Sequence, residues 1–588
     1  MSCLLTYWRL VVPTKSVAEL DAELWLFLVA LPRERFVTLP CLHFNRWHLV
    51  VVTFLNLFCI GSIFSADFLD DSIDQYFLGQ SQNRAMRSQL VGMLALGLTA
   101  ALGGPFVESR GPRMGMTVGT GLVVCGWIFA HIGVMTKVYQ LLNLGFGVFV
   151  GAGYGITLIT SISTLQKWFP DLRGVVTGIC IAGMGVGTML WIKIYSILLH
   201  RQSDHIFQRV SQELENDGLH HIFIVHLISA LFVMLLATMV LRTPPPNYTV
   251  NGSDIHCVPA NKAPAPSHVQ CDYLNVGMTL VNYAAVRNDT STTDDVYYAH
   301  VKALSLVQCI LSSDFFFLYV AFAASVAPIV LFSFEISDII EELLNQTEDE
   351  ASSLLTYISI ADCLGNFFGP VLADVVIRVF YSNPAYVRKM AFVVLLLTQC
   401  IGMSVLISTV GDVDGFQWPL YVTTFACSGG FGLIPSLLAD LFGVYNAGTM
   451  YGLILTTWSI GSMVAGLKLR QMGDTKSHHV TEQSKVLLVF AIVGCVVMVL
   501  VRSSSMDRFY RGYQLTICGK ILVQRPSRHL MLEQANHRSL KSTQRGGTDV
   551  FYEWTSDQRT HGHDRLSDSV DTSPILLVDP AYPHQYKF

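Results

Sequence analysis

Runs of about 20 mostly apolar residues limit most strongly what this chain can fold into, because a helix of that length crosses the hydrocarbon core of a bilayer. Twelve such runs are read at 47–67, 88–107, 114–135, 138–161, 174–198, 221–242, 312–334, 353–373, 391–409, 418–438, 449–467 and 486–502. In hydrocarbon the backbone must satisfy its own polar groups, and runs of this length do so as helices. The expected fold class is an all-α integral membrane protein with twelve transmembrane helices. Composition supports this. Of 588 residues, 52% are hydrophobic and only 14% charged, too few charges to cover a water-soluble chain of that size. The net charge of −5 gives no reason to expect a nucleic-acid partner.

Six runs precede a polar stretch at 243–302 and six follow it. Pro244-Pro245-Pro246 and the polar run Thr290–Asp295 mark that stretch as linker. The expected organisation is an N-terminal arm (1–46), a six-helix bundle (47–242), a central loop (243–302), a second bundle (303–502) and a tail (503–588). The short apolar stretch Leu24–Leu31 is too short to span and follows two acids, Asp21 and Glu23. It reads either as an interfacial helix or as a loosely ordered arm, and not as a signal peptide. Weak internal symmetry joins the halves. Gly153-Tyr154-Gly155 near the end of helix 4 is answered by Gly430-Phe431-Gly432 in helix 10, with a three-residue difference in spacing to the following glycine. Two pseudo-symmetric six-helix bundles are the expected result.

Orientation follows from Lys and Arg. With both termini in the cytosol, the inside segments hold most of the 38 basic residues, the sign the positive-inside rule requires. Arg110, Arg113, Lys167, Arg173, Arg378, Arg388 and Lys389 fall in short inside loops, whereas 335–352 and 410–417 outside have none. Asn345-Gln346-Thr347 would then be the one glycosylation acceptor on the outside, with Asn247, Asn251 and Asn288 inside. Arg502, Arg508 and Arg511 past helix 12 suit an ordinary positive-inside anchor or anionic headgroups. Seven of the 13 cysteines lie in apolar runs, where they act as small hydrophobes, and no disulfide is expected.

Charge concentrates at four connections. Helix 2 ends in Glu108, followed at once by Arg110 and Arg113. Lys167, Asp171 and Arg173 lie between helices 4 and 5, where Pro170 stops the helix and Trp168 and Phe169 suit an interfacial aromatic belt. Asp374 follows helix 8 and Asp440 ends helix 10. Such clusters can pair across two bundles in one conformation and separate in another. An acid near Thr449 would also complement the positive end of helix 11. Small residues from Gly178 to Gly187 let helix 5 pack closely.

These segments resemble the major facilitator superfamily. Gly104-Pro105-Phe106-Val107-Glu108-Ser109-Arg110-Gly111-Pro112-Arg113 is similar to its loop between helices 2 and 3. Glu108 stands at the acid and Arg113 at the last base, while Ser109 departs from the pattern. Lys167-Trp168-Phe169-Pro170-Asp171-Leu172-Arg173-Gly174 resembles the K-W-F-P-x-x-R-G run of the oxalate/formate antiporter and monocarboxylate porter branch. Asp440-Leu441-Phe442-Gly443 with Asn446 resembles the matching hinge of the second half. The likeness implies a secondary transporter working by alternating access, with gating roles for Glu108, Arg110, Arg113, Lys167, Asp171, Arg173, Asp374 and Asp440.

At the substrate site the chain departs from that branch. The branch places an Arg in helix 8 to hold a carboxylate. Anchored on Asp374, or on an acid one turn before the Arg, that position is Asn366. Trp458 stands where oxalate-type members carry a Lys in helix 11. Asp67 and Phe68 occupy the region where monocarboxylate porters carry a Lys in helix 1. Other ionisable residues at depth are His131, Lys193 and His226. Asp362, one turn before Asn366, is the strongest candidate functional group, since an acid in an apolar helix is costly unless used. The candidate substrate-binding residues are Asp362, Asn366, Trp458 and Asp67.

The expected function is therefore transport of a small polar metabolite, with protons as candidate co-substrate, by a monomer in the plasma membrane or an organelle membrane. An amino acid or cation suits the acidic site as well as a carboxylate does. A non-transporting receptor or scaffold on the same fold is the competing reading. No metal-spaced cluster, nucleophile motif or phosphate loop in a plausible context points to an enzyme or a cofactor.

Overall fold

The structure is a computed structural model that describes residues 7–8, 15–31, 35–79, 84–200, 211–246, 248–251, 254–257, 301–338, 348–380, 382–409, 413–472, 477–503, 505–508, 512–517 and 520–526. Asn247, Asn288, Thr290–Asp295, Asn345-Gln346-Thr347, Arg511 and the tail beyond residue 526 lie outside the described residues.

Among the described residues, twelve long helices follow in order: α1 (Arg46–Ile60), α2 (Arg84–Arg110), α3 (Pro112–Thr136), α4 (Tyr139–Trp168), α5 (Arg173–His200), α6 (Ser211–Val240), α7 (Ser313–Asp338), α8 (Glu348–Phe380), α9 (Pro384–Thr409), α10 (Val413–Phe442), α11 (Val444–Met472) and α12 (Ser477–Leu500). Eleven spans among the described residues are long and apolar enough to cross a membrane. The helix outside that set is α11, whose Thr456, Thr457, Ser459 and Ser462 dilute its apolar surface. The hydroxyls of Thr456, Thr457 and Ser462 return to backbone carbonyls within the helix, which lowers the cost of holding them in hydrocarbon.

Each expected span is found, and the differences lie at the ends. Regular α1 stops at Ile60 and tightens into 3-10 turns at Gly61–Ile63 and Ser65–Leu69. Ser65 Oγ donates to the Ser62 carbonyl at 3.0 Å there. A methyl at Gly61 would fall 2.5 Å from the Met184 carbonyl oxygen of α5, so the turn is pressed against its neighbour. Helix α6 begins ten residues earlier than its apolar run, and α8 extends from Glu348 through Pro370 to Phe380. Apolarity marks only the part of a helix that needs lipid or protein around it. Helix α4 contains a π-helical stretch, Asn143–Val150.

The first six helices pack among themselves, as do the last six. The bundles meet along α2 with α11 and α5 with α8, and also through α4 and α5 against α10 and α11. The pseudo-symmetry has a structural origin. Gly443 alone, at φ 84°, turns α10 into α11, whereas residues 169–172 connect α4 to α5. That accounts for the three-residue difference between the repeats.

The stretch Leu24–Leu31 is neither an interfacial helix nor loose chain. After a short helix (Val17–Ala22), β1 (Trp25–Leu31) pairs antiparallel with β2 (Arg35–His43). The run Trp25-Leu26-Phe27-Leu28-Val29 has the β-branched and aromatic content of a strand. Leu26 and Leu28 face inward and are buried, in strand alternation. Asn45 then caps α1, accepting from the Trp47 N–H at 3.2 Å. A second hairpin, β3 (Gly512–Ile517) and β4 (Lys520–Pro526), follows α12. The loops α2–α3, α4–α5, α8–α9 and α10–α11 share one face with both hairpins, called here the termini face.

Candidate functional site

Two groups of side chains sit where the bundles meet. The deeper one centres on Asp362 of α8. Its carboxylate accepts from the Ser428 hydroxyl of α10 and from Asn366 Nδ2 at 3.3 Å. Across the seam, a methyl on Gly185 of α5 would come within 2.9 Å of Asp362 Oδ2. Asp362 and Asn366 are thus brought together as their four-residue spacing requires. Ser428 was not legible in the sequence, because a serine in an apolar helix carries no signal until its partner is placed.

Trp458 of α11 stands elsewhere, its ring 5.4 Å from Phe64 beyond α1. Among the described residues, no hydrogen bond or ring contact joins it to Asp362. Asp67, in the 3-10 turn Ser65–Leu69, keeps an exposed side chain. Phe64 and Trp458 therefore bridge α1 to α11, while Asp362 marks the α5–α8–α10 side.

The other deep ionisable residues do not converge on Asp362. Lys193 is exposed and His131 half-buried. His226 is buried within the first bundle. It stacks on Trp127 with centroids 4.5 Å apart and shares a 2.6 Å hydrogen bond with the Tyr195 hydroxyl. Ser65 Oγ lies 3.2 Å from the Tyr195 hydroxyl, which ties His226 to the turn after α1.

The termini face carries a chain of buried ion pairs. Arg173, the first residue of α5, donates to Asp440 at the end of α10, at 2.6 Å. Arg388 of α9 donates to the other Asp440 oxygen and, at 2.6 Å, to Asp374. Asp374 accepts at 2.9 Å from the Val175 N–H in the first turn of α5. A carboxylate against the free N–H groups of a helix start is electrostatically favourable. Gly174 permits the approach, since a methyl there would lie 2.5 Å from Asp374 Oδ1.

The other half has a counterpart. Lys167 pairs with Glu108 at 2.5 Å, and its ammonium lies 5.6 Å from the centre of the Tyr445 ring in α11. Glu108 Oε1 would meet a methyl on Gly448, near the start of α11, at 3.0 Å. The expected acid at the head of α11 is in place.

The charge clusters are sorted differently from the sequence reading. Lys167 and Arg173 do not act in one cluster, since one pairs within its bundle and the other across to the second. Asp171 pairs with Arg46 at 2.9 Å, and its carbonyl accepts from Arg378 across the seam at 2.8 Å. Arg113 turns to the arm, pairing with Glu19 at 3.1 Å and Glu23 at 2.7 Å, and Arg110 is exposed. Trp168 and Phe169 are buried against Phe44, Tyr248 and Trp47, not spread in an aromatic belt. Arg502 and Arg508 do not reach for lipid. Arg502 pairs with Asp314 at 2.9 Å, and Arg508 donates to the Leu441 carbonyl. Arg388 was the missed residue. In the sequence it counts only as one more inside charge, and its two acids lie 14 and 52 residues away.

Part of the central loop covers this face. Arg173 also donates to the Ile255 carbonyl at 2.7 Å. The buried His256 ring lies 5.3 Å from Tyr445. Burial pushes the His256 imidazole down to about 4, with Asp254 opposing and Lys302, Arg173 and Lys167 adding to the shift.

Two helical bundles joined across a seam, with ion pairs closing one face and an acid at depth, define a polytopic membrane transporter. Residues 47–466 match the Major Facilitator Superfamily. The chain belongs to that superfamily and is a secondary transporter embedded in a lipid bilayer. It is 29% identical over 156 residues to the oxalate:formate antiporter of Oxalobacter formigenes, covering 26% of this chain and 36% of that protein. It is 22% identical over 425 residues to an MFS-type transporter, YhjX, of Escherichia coli, covering 71% of this chain and 86% of that one. The apicoplast pyruvate carrier 1 of Toxoplasma gondii matches at 30% over 115 residues, 20% of each chain. The chain thus matches about a third of the antiporter's length. In fold, the proton:xylose symporter XylE superposes with TM-score 0.54 at 14% identity, covering 77% of this chain and 94% of the symporter.

Proposed function

We infer that this transporter moves a small polar metabolite together with a proton, by alternating access, and that Asp362 carries the proton. The observation behind this reading is the company Asp362 keeps: a hydroxyl from Ser428 and an amide from Asn366, at a seam between the bundles. A carboxylate held in an apolar span by neutral groups is expensive as an anion, and taking up a proton relieves that cost. Asn366, Trp458 and Asp67 are proposed to contact substrate. The ion pairs of Arg173, Asp440, Arg388 and Asp374, with Glu108, Lys167, Asp171, Arg110 and Arg113, are proposed to gate the termini face, which we place in the cytosol.

A dianion needs positive groups at the midplane, and the branch's basic positions hold Asn366 and Trp458 here. We therefore favour a neutral or ammonium-bearing substrate. The second reading is a monocarboxylate entering with its proton, supported by the names of the antiporter and the pyruvate carrier among the relatives. Uptake of a panel of amino acids, cations and monocarboxylates into vesicles under an imposed pH gradient tests both. Proton coupling requires that Asp362→Asn abolish the gradient dependence. Unchanged gradient dependence in that variant ends the reading.

A further inference from the structure

We propose that the N-terminal hairpin is a membrane-resting element whose outer face lies on the lipid of the termini-side leaflet. Its two faces differ in a way that an arm free in water does not require. Leu26 and Leu28 point inward and are buried. The outer face pairs Phe27 with Leu39 and Val29 with Val37, and Val29, Val37 and Leu39 remain 40%, 53% and 54% exposed. A contiguous apolar sheet face of this kind calls for an apolar neighbour.

The anchoring of the hairpin names that neighbour. Strand β2 ends at His43, and the first membrane helix starts at Arg46, with Trp47 exposed in its first turn, as suits the interfacial zone. On the other side, Arg242, two residues past the end of α6, donates to the carbonyls of Glu23, Trp25 and Leu26 at 2.6, 2.8 and 2.5 Å. Its guanidinium also lies 4.2 Å from the Phe44 ring centre. Arg113, at the start of α3, holds Glu19 and Glu23. Three helix ends at the membrane border therefore fix the hairpin at that border. The end of β2 at His43, three residues before α1 begins, is therefore held at the headgroup zone. At the far end of the hairpin, exposed Arg35 offers a positive charge to anionic headgroups. The occupant that satisfies an apolar face, a basic tip and this height together is the lipid surface itself.

The test uses the full chain in vesicles of phosphatidylcholine and phosphatidylserine, with a photoreactive benzophenone amino acid placed singly at Val37, Leu39 or, as control, the exposed Asp21. The hairpin on lipid gives phospholipid adducts at Val37 and Leu39, by mass spectrometry, several-fold above those at Asp21. Removing phosphatidylserine lowers the yield at Val37, near Arg35, more than at Leu39. Either position alone suffices should the other variant fail to fold. Adducts to a second copy of the chain, or equal yields at all three positions, overturn the proposal.

Discussion

Arg173 and Asp440 lie 2.6 Å apart although 267 residues separate them in sequence, and each side chain is only 1% exposed. They tie the head of α5 to the foot of α10, one bundle to the other. Burying such charges costs several kcal/mol per ion unless the pairing is complete, and Arg388 completes it from α9. Closure of this face therefore depends on all members of the chain being charged.

Asp440→Asn leaves Arg173 and Arg388 buried against a neutral amide. The closed arrangement should lose about 3–5 kcal/mol, while an open, hydrated face loses little. The expected outcome is at least a tenfold fall in initial uptake (roughly, from that shift), with faster labelling of a cysteine placed at the buried Ser163 on the termini side. Wild-type labelling kinetics would show that the ion pair does not hold the face shut.

Gly174→Ala puts a methyl 2.5 Å from both the Pro370 carbonyl oxygen and Asp374 Oδ1. These are backbone and an already engaged carboxylate, so neither yields easily. Thermal unfolding in detergent should show a loss of about 1–3 kcal/mol. The same change at Gly121, with open space around it, should be close to neutral.

His256 makes the loop over the termini face sensitive to acid. Its folded value of about 4 lies below the ordinary 6.5, so the docked state binds protons less readily than the undocked one. Docking is at full strength above about pH 6.5 and weakens as pH falls toward 4, by about 3 kcal/mol in total. The protection factor of residues 254–257 against hydrogen exchange, taken against the intrinsic rate at each pH, should fall over that window, and His256→Gln should remove this pH dependence.

Much of the fold was legible because the bilayer imposes a length and a composition on every span, and the stretch that resembled a second-half hinge holds the turn, at Gly443. The site was legible where partners share a helix, as Asp362 and Asn366 do. It was not legible where a partner comes from another element. Nothing in the neighbourhood of Arg388 names Asp374 and Asp440 as its acids, and nothing around Ser428 names Asp362. The arm was ambiguous for a related reason. Seven apolar residues suit a short helix or a strand equally until a pairing partner, here Arg35–His43, is known.

The direct test of alternating access is to prevent the termini face from opening. Asp171 and Arg378 touch across the bundles through a 2.8 Å hydrogen bond, so cysteines at both positions can be joined by a short reducible bis-thiol reagent. With the link complete, uptake should fall to background, and reduction should restore it to the level of the same variant before linking, while the reagent leaves each single-cysteine variant at its own starting rate. Full cross-linking with undiminished uptake would contradict the account.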